Sequence, residues 1–412
     1  MIKLLIFAIA LRSAPHFRLM RGSLINPETQ PPSKLPPVMK RKSLLDLPAV
    51  EAFAHSQNLT EQHVATLYNI FLRENKGGCG RTRLSTKNVP TIDKLTSMSF
   101  PRHAADQLQS EFVAMTSSIK KVVRSESGGF RLLISLPGGE VTETVLIKHV
   151  HKNGKTRFTA CLSSQVGCRR GCTFCATGTL GMRLDLDHSV ILEQFAQCVR
   201  VLDNEGLDSS ALKNVVYMGQ GEPLDNYANV IHSIRGLSHQ ALFAISPSKI
   251  TLSTVAPEPS LIKRLAEEAP KVNLAVSLHG ATQELRERTV PSARATTISE
   301  LGEALDFHAK KSSRGSMLEY LLIDDVNDSE EAALQLVEFY RRRNKNHPPF
   351  VNLIPYNPTA AGDRFGYTTP LDDKINAFRD ILKAEGVPSN VRWSSAGGRD
   401  ALGACGQLSL GE

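Results

Sequence analysis

Three of the chain's seven cysteines fall within eight residues, as Cys168-x3-Cys172-x2-Cys175, and no other feature of the sequence constrains the fold as tightly. Glycines at 167 and 171 punctuate the segment, which follows a predicted strand ending near Leu162 and so reads as a loop. One loop can wrap three thiolates around an iron–sulfur cluster, whose irons favour sulfur ligands. A structural zinc would want a fourth ligand at short spacing and more often uses C-x2-C pairs, so the x3-x2 spacing counts against zinc. Three ligands leave one iron of a cube without a protein partner. An open iron can chelate the amino and carboxylate groups of S-adenosylmethionine and pass it an electron, while the protein holds that geometry.

The other cysteines are Cys79, Cys161, Cys198 and Cys405. An odd count with three sulfurs bunched together suits a reduced compartment and metal or catalytic thiols better than a secreted disulfide framework. The formal charge of +8 resembles a nucleic-acid signature until it is located. Residues 1–42 carry +7 of it, with eight Lys/Arg against Glu28 alone, so the remaining 370 residues are nearly neutral. Any RNA-binding surface is therefore a local patch. Met1–Ala10 is apolar but too short to span a bilayer, and the Arg/Ser/Pro-rich stretch after it lacks acids. The segment reads as a targeting peptide for a plastid or mitochondrion or as a disordered tail, the latter leaving the protein cytoplasmic. No membrane association is expected.

After the Pro-rich linker of residues 27–37, residues 43–118 read as a small helical domain. Val64, Leu67, Tyr68, Phe71 and Leu72 form one apolar stripe, and residues 104–116 repeat it with Leu108, Phe112 and Met115. Residues 119–153 switch to strand periodicity, broken at Gly128-Gly129, Pro137-Gly138-Gly139 and Asn153-Gly154, and form a β-extension. Residues 154–412 then alternate apolar strands (214–218, 249–255, 272–278, 317–323 and 350–354) with helical patterns. This rhythm predicts an α/β fold, a partial (β/α) barrel whose reactive groups gather at the C-terminal ends of parallel strands. One such place is Gly219-x-Gly221-Glu222-Pro223, where glycines permit close backbone approach and Glu222 can accept from an ammonium group. Alone, that turn is a weak signal.

The CxxxCxxC loop resembles that of the radical S-adenosylmethionine superfamily. The surrounding Ala160-Cys-Leu-Ser-Ser-Gln-Val-Gly-Cys168 resembles one branch of it, the bacterial-type dual-specificity ribosomal and transfer RNA adenine carbon-2 methyltransferases. Further matches occur in the family's order over about residues 43–410. They are Asn214-Val-Val-Tyr-Met-Gly-Gln-Gly-Glu-Pro-Leu224, Thr251-Leu-Ser-Thr254, Leu274-Ala-Val-Ser-Leu-His279, Glu319-Tyr320 with Asp325-Val-Asn-Asp328, Asn352-Leu-Ile-Pro-Tyr-Asn-Pro358 and Ala404-Cys-Gly-Gln-Leu408. The chain departs from the family at Gln220, where Met is usual, and at Val255-Ala256-Pro257.

The resemblance implies a [4Fe-4S] cluster on Cys168, Cys172 and Cys175, and S-adenosylmethionine held by Gly221, Glu222, Ser253, Ser277, Leu278, His279 and Asn357. It implies that Cys405 takes a methyl group from one S-adenosylmethionine and that a second molecule supplies the radical, making two per turnover. The methyl carbon then joins the base, and Cys161 releases the RNA by forming a disulfide with Cys405. Glu143 matches the family's proposed proton acceptor, with Cys161 the competing candidate. Implied partners are ribosomal or transfer RNA presenting an unstacked adenosine, a flavodoxin- or ferredoxin-type electron donor and a thiol reductant, with the protein a monomer. Arg169-Arg170, Lys310-Lys311 and Arg341-Arg342-Arg343 are candidate phosphate contacts, though such runs are commonly solvated faces. Two rival readings stay open: methylation of carbon 8 of the same base, and a cluster-bearing RNA-binding or assembly protein without catalysis. Cys79 and Cys198 match no motif.

Overall fold

The structure, a computed structural model, describes residues 41–72, 74–75, 82–83, 89–151, 153–393, 403–404 and 406–409. The N-terminal segment up to residue 40, Cys79 and Cys405 lie outside the described residues.

Helix α1 (Leu47–Ser56) starts where the Asp46 carboxylate accepts from the Ala49 N–H at 3.0 Å. In α2 (Glu61–Leu72) the predicted stripe turns inward, burying Leu67, Tyr68, Phe71 and Leu72. The short α3 (Ile92–Thr96) and α4 (Arg102–Glu111) complete the helical part. The helix expected to run to residue 116 stops at Glu111. Phe112 instead turns extended and packs edge-on against Phe53, with ring centroids 5.4 Å apart. The period of Leu108, Phe112 and Met115 does not reveal this break, because its cause is a distant side chain. Extension frees the N–H groups of Thr116 and Ser117 to donate to the Glu193 carboxylate, each at 2.7 Å.

A ten-stranded sheet forms the rest of the frame. Its strands are β1 (Ser118–Arg124), β2 (Phe130–Ser135), β3 (Val141–Val150), β4 (Thr156–Cys161), β5 (Leu212–Tyr217), β6 (Ile250–Thr254), β7 (Asn273–Ser277), β8 (Met317–Leu322), β9 (Phe350–Pro355) and β10 (Ser389–Val391). Order in space equals order in the chain. The first four pair antiparallel, joined at the Gly-containing turns read from the sequence, and β4 to β10 run parallel. The three antiparallel strands thus continue the parallel sheet without a break. Crossovers carry α5 (His188–Asn204), α6 (Tyr227–Ser238), α7 (Pro259–Glu268), α8 (Gln283–Thr289), α9 (Ile298–Ser312), α10 (Glu330–Arg341) and α11 (Asp372–Ala384). One apolar core joins helical part and sheet, running from Leu44, Phe53 and Tyr68 through Phe158 and Val215 to Leu353. Among the described residues no helix is long and apolar enough to cross a membrane.

Helix α5 is buried on nearly every side, and its inward polar residues are matched. Glu193 is fully buried, and burial raises its carboxyl above the usual range against the pull of hydrogen bonds from Ser117, Thr116 and Ser43. Replacing it strands two backbone donors where water does not reach. Glu193→Ala is expected to lower unfolding free energy by about 3 kcal/mol or more, and Glu193→Gln by less, measured by urea denaturation.

Candidate active site

The three cysteines sit after β4, on a loop fixed from several directions. Gly167 has φ +75°, and a Cβ there would lie 1.8 Å from the Gly181 carbonyl oxygen, so only glycine lets the loop turn back on itself. The Cys168 N–H donates to that same carbonyl at 3.1 Å. Thr173 bonds the Thr289 carbonyl and the Tyr367 hydroxyl, Thr359 donates to the Phe174 carbonyl, and the Arg170 guanidinium pairs with Asp225. The chain's last described segment also closes on this loop: Ala176 N–H donates to Gly406 at 2.8 Å and Thr177 Oγ1 to Leu408 at 2.7 Å.

All three thiols line a cavity of about 130 Å³ at the C-terminal ends of the parallel strands. Burial pushes the Cys168 thiol up to about 12 and the Cys172 thiol well above its ordinary value, and the Cys175 sulfur adds to the cost of ionising both. Among the described residues the one trio of His, Cys, Asp or Glu ligand atoms lying within 4.8 Å of one another is Asp324, Asp325 and Asp328. At least one pair of the cysteine sulfurs therefore lies more than 4.8 Å apart, beyond the roughly 4 Å between thiolates on one tetrahedral zinc. A polynuclear centre, each iron taking one thiolate and the whole carrying positive charge, fits that spacing and offsets the cost of three buried thiolates.

Glu222, Gly221, Ser253, Ser277 and His279 line the same cavity, each at or just beyond a strand end. Gly221 (φ +96°) packs its α-carbon against Gln165, where a Cβ would meet the Gln165 Cβ at 2.6 Å. Its lack of a side chain thus also serves the packing of two protein segments. The Glu222 carboxylate accepts from Thr254 Oγ1 (2.6 Å), Val255 N–H (2.9 Å) and Leu224 N–H (3.0 Å), tying β5 to β6. Burial raises it to about 7 against those hydrogen bonds. His279 holds a left-handed backbone (φ +54°) and accepts the Leu321 N–H at Nδ1, which places its proton on Nε2. Burial, aided by Arg286, lowers its pKa to about 3, so the ring is neutral. Leu278 and Asn357 are buried but are not among the cavity's lining residues; the Leu278 carbonyl instead accepts from Arg286.

A second cavity of about 300 Å³ adjoins the first, sharing Met218, Ile354, Arg392 and Leu408. Cys161 lines it, packed with Val145 and Leu408. Ala404 lines the larger cavity and Gly406 the smaller. Glu143 lines neither: it is fully buried, bonded by Arg131 Nε at 3.1 Å and by Gln220 Nε2 at 3.4 Å, and Arg131 faces the cavity. Cys198 is buried inside α5 as a packing residue. Of the basic runs, Arg170 alone reaches a cavity, while Arg341, Arg342 and Arg343 pair with Glu385, Glu338 and Asp306.

Two groups, Arg286 and Gln194, escaped the sequence reading, and Glu319 entered it within a motif but without a role. Arg286, 2% exposed, donates to the carbonyls of Ser277 (2.7 Å), Leu278 (2.6 Å) and Val255 (2.5 Å), drawing two strand ends together behind the cofactor site. Burial lowers it to about 10, and the Cys172 and Glu222 charges oppose that fall. In Leu285-Arg286-Glu287-Arg288 it looks like one member of a solvated charge run; the Thr282 cap, one turn earlier, was the available signal. Gln194 accepts from Ser163 N–H and donates to Ser163 O, both at 2.9 Å, bracing the segment after Cys161. Glu319 lines the cofactor cavity with Oε1 buried and unpartnered among the described residues, an acceptor suited to a cationic or hydroxyl-bearing ligand.

A parallel α/β sheet with a three-cysteine loop at its C-terminal edge defines a radical S-adenosylmethionine enzyme, and residues 162–337 match the model of the Radical SAM superfamily. Enzymes of this class use a [4Fe-4S] cluster and S-adenosylmethionine. The crystal structure of a radical SAM methyltransferase from Sphaerobacter thermophilus is similar with a TM-score of 0.74 and 30% identity, covering 90% of this chain and 99% of that one. A probable dual-specificity RNA methyltransferase RlmN of Thermus thermophilus is 37% identical over 327 residues, 79% of this chain and 86% of the relative. The dual-specificity RNA methyltransferase RlmN of Nitratidesulfovibrio vulgaris is 36% identical over 326 residues, 79% and 85% of the two chains. The chain belongs to the dual-specificity RNA methyltransferase (RlmN) family.

Proposed function

We propose that this protein methylates carbon 2 of an adenosine in ribosomal RNA, transfer RNA or both. The observation that carries this reading is the junction of two cavities: the cysteine loop lines one, Cys161 lines the other, and Met218 borders both. When bound, the cluster supplies the electron that cleaves S-adenosylmethionine. The chain's own residues do the rest. Cys168, Cys172 and Cys175 would hold the irons, Glu222 would accept from the N–H of the methionine moiety's amino group, and Ser253, Ser277 and the neutral His279 would offer hydrogen bonds to its polar parts. Cys405, by resemblance, carries the methyl group. Cys161, as thiolate, later attacks the Cys405 sulfur, so that the sulfur–carbon bond to RNA breaks as the disulfide forms; the bond's electron pair passes to the methylene carbon on the base, which takes up a proton to become the methyl group, and an external thiol reduces the disulfide. Two S-adenosylmethionine molecules serve each turnover, with an electron donor of flavodoxin or ferredoxin type. Because Cys161 lines the cavity and Glu143 does not, Cys161 is better placed to accept the base's proton.

The test is anaerobic reconstitution with iron and sulfide, incubation with ribosomal and transfer RNA fragments, and mass spectrometry of the nucleosides. 2-Methyladenosine is expected; 8-methyladenosine, or no product from a loaded protein, would discard the assignment. Glu222 adds a pH signature. With its pKa near 7, the carboxyl is largely neutral at pH 6 and ionised at pH 8. Affinity for S-adenosylmethionine is expected to rise by up to about tenfold over that interval, and Glu222→Gln to bind weakly with no such slope, measured by equilibrium dialysis.

A further inference from the structure

The larger cavity has at its rim the chain's only tryptophan. Trp393 follows β10 and is 48% exposed, an unusual position for the side chain with the most apolar area to lose. The β1–β2 turn, the start of β2 and the outer half of β3 line the same cavity and contribute Ser127, Phe130 and Lys148. Arg392 adjoins the indole along the chain. No carboxylate is among the cavity's lining residues, and neither Lys148 nor Arg392 forms an ion pair among the described residues. An exposed aromatic face beside two cations that no described carboxylate reaches at ion-pair distance, on a cavity that a cysteine also lines, matches how proteins hold single-stranded nucleic acid: bases stack on the ring while phosphates meet the charges. A protein or lipid partner would call for a broader apolar surface than one ring.

We propose that Trp393 is a stacking platform for an unpaired base of the RNA next to the adenosine that enters the cavity, with Lys148 and Arg392 beside flanking phosphates. This rests on the reading of an RNA substrate given above. It assigns Trp393 a part in substrate specificity, since stacking favours adenosines presented in unpaired loops over those held in a duplex.

As the sole tryptophan, Trp393 reports on itself. Anaerobic titration of the holoprotein with an RNA hairpin bearing an unpaired adenosine in its loop is expected to change tryptophan emission, while a blunt RNA duplex of equal length changes it little. Trp393→Ala is expected to weaken hairpin binding about tenfold and raise the KM for RNA more than it lowers kcat, with Trp393→Phe recovering most of the affinity. Lys148→Ala is expected to reduce the slope of log affinity against log salt by about 0.7. Hairpin binding without a change in emission, or an alanine variant that binds as tightly as the parent, would overturn the platform and leave the RNA reading standing. Failure of the unchanged holoprotein to bind any of these RNAs would overturn both.

Discussion

Cys172→Ala is expected to yield a folded chain that neither holds iron nor methylates RNA. The loop around Cys172 is anchored by bonds that do not involve its sulfur, among them Thr173 to Thr289 and Tyr367, and Ala176 to Gly406. Loss of one thiol from this frame costs about 1 kcal/mol or less of stability. The cluster is another matter. Two remaining thiolates would leave two irons without protein ligands, and the cube would be lost or reduced to a smaller species. Iron content should fall from about four per chain to below one, and methylation by more than about a thousandfold. Metal analysis, the visible absorption of the reconstituted protein and the nucleoside assay check this together. A variant that retains four irons and turns over would show that the sulfur grips nothing.

Cys161→Ala should produce an equally complete loss of net turnover by a different route. Cys161 is 7% exposed, at the end of β4 and outside the cysteine loop, so iron content and cleavage of S-adenosylmethionine should both persist. Gln194 holds Ser163, two residues further on, in place whatever occupies position 161. What the variant lacks is the thiolate that frees the RNA. The expected result is RNA retained covalently on the protein, seen as a labelled band on a denaturing gel, with product release down by about a thousandfold or more. A variant with parental turnover and no adduct would remove Cys161 from the scheme. The two exchanges therefore separate loss of the cofactor from loss of release.

The parts of the site that lie close together along the chain were readable before the structure. The cysteine loop is one such part, and the five apolar runs from Asn214 to Ile354 became β5 to β9 with ends shifted by a residue or two. Parallel strands buried on both faces are short and uniformly apolar, so their pattern survives in sequence. Polar groups that face inward do not announce themselves. Glu193, Gln194 and Gln197 look like the wet side of α5 but are all buried, each bonded to the backbone of residues 116–117 or 163. Arg131 meets Glu143 only because the β2–β3 register sets Leu133 opposite Glu143 and Arg131 two residues further along, on the same face. Leu278 and Asn357 follow strands as expected, yet both are buried away from the lining of the cofactor cavity. A strand end names a neighbourhood; the side chain's direction is settled by what packs around it.

The sequential strand order also sets a timetable. Each strand can pair with the one just synthesised, so the sheet grows from its antiparallel edge without waiting for distant partners. The cysteine loop is the exception: Thr173 needs the carbonyl of Thr289 and the hydroxyl of Tyr367, and Thr177 needs the carbonyl of Leu408, 231 residues on. The pocket that would take the iron is therefore fastened after the sheet beneath it, since one of its ties comes from the segment that carries Leu408.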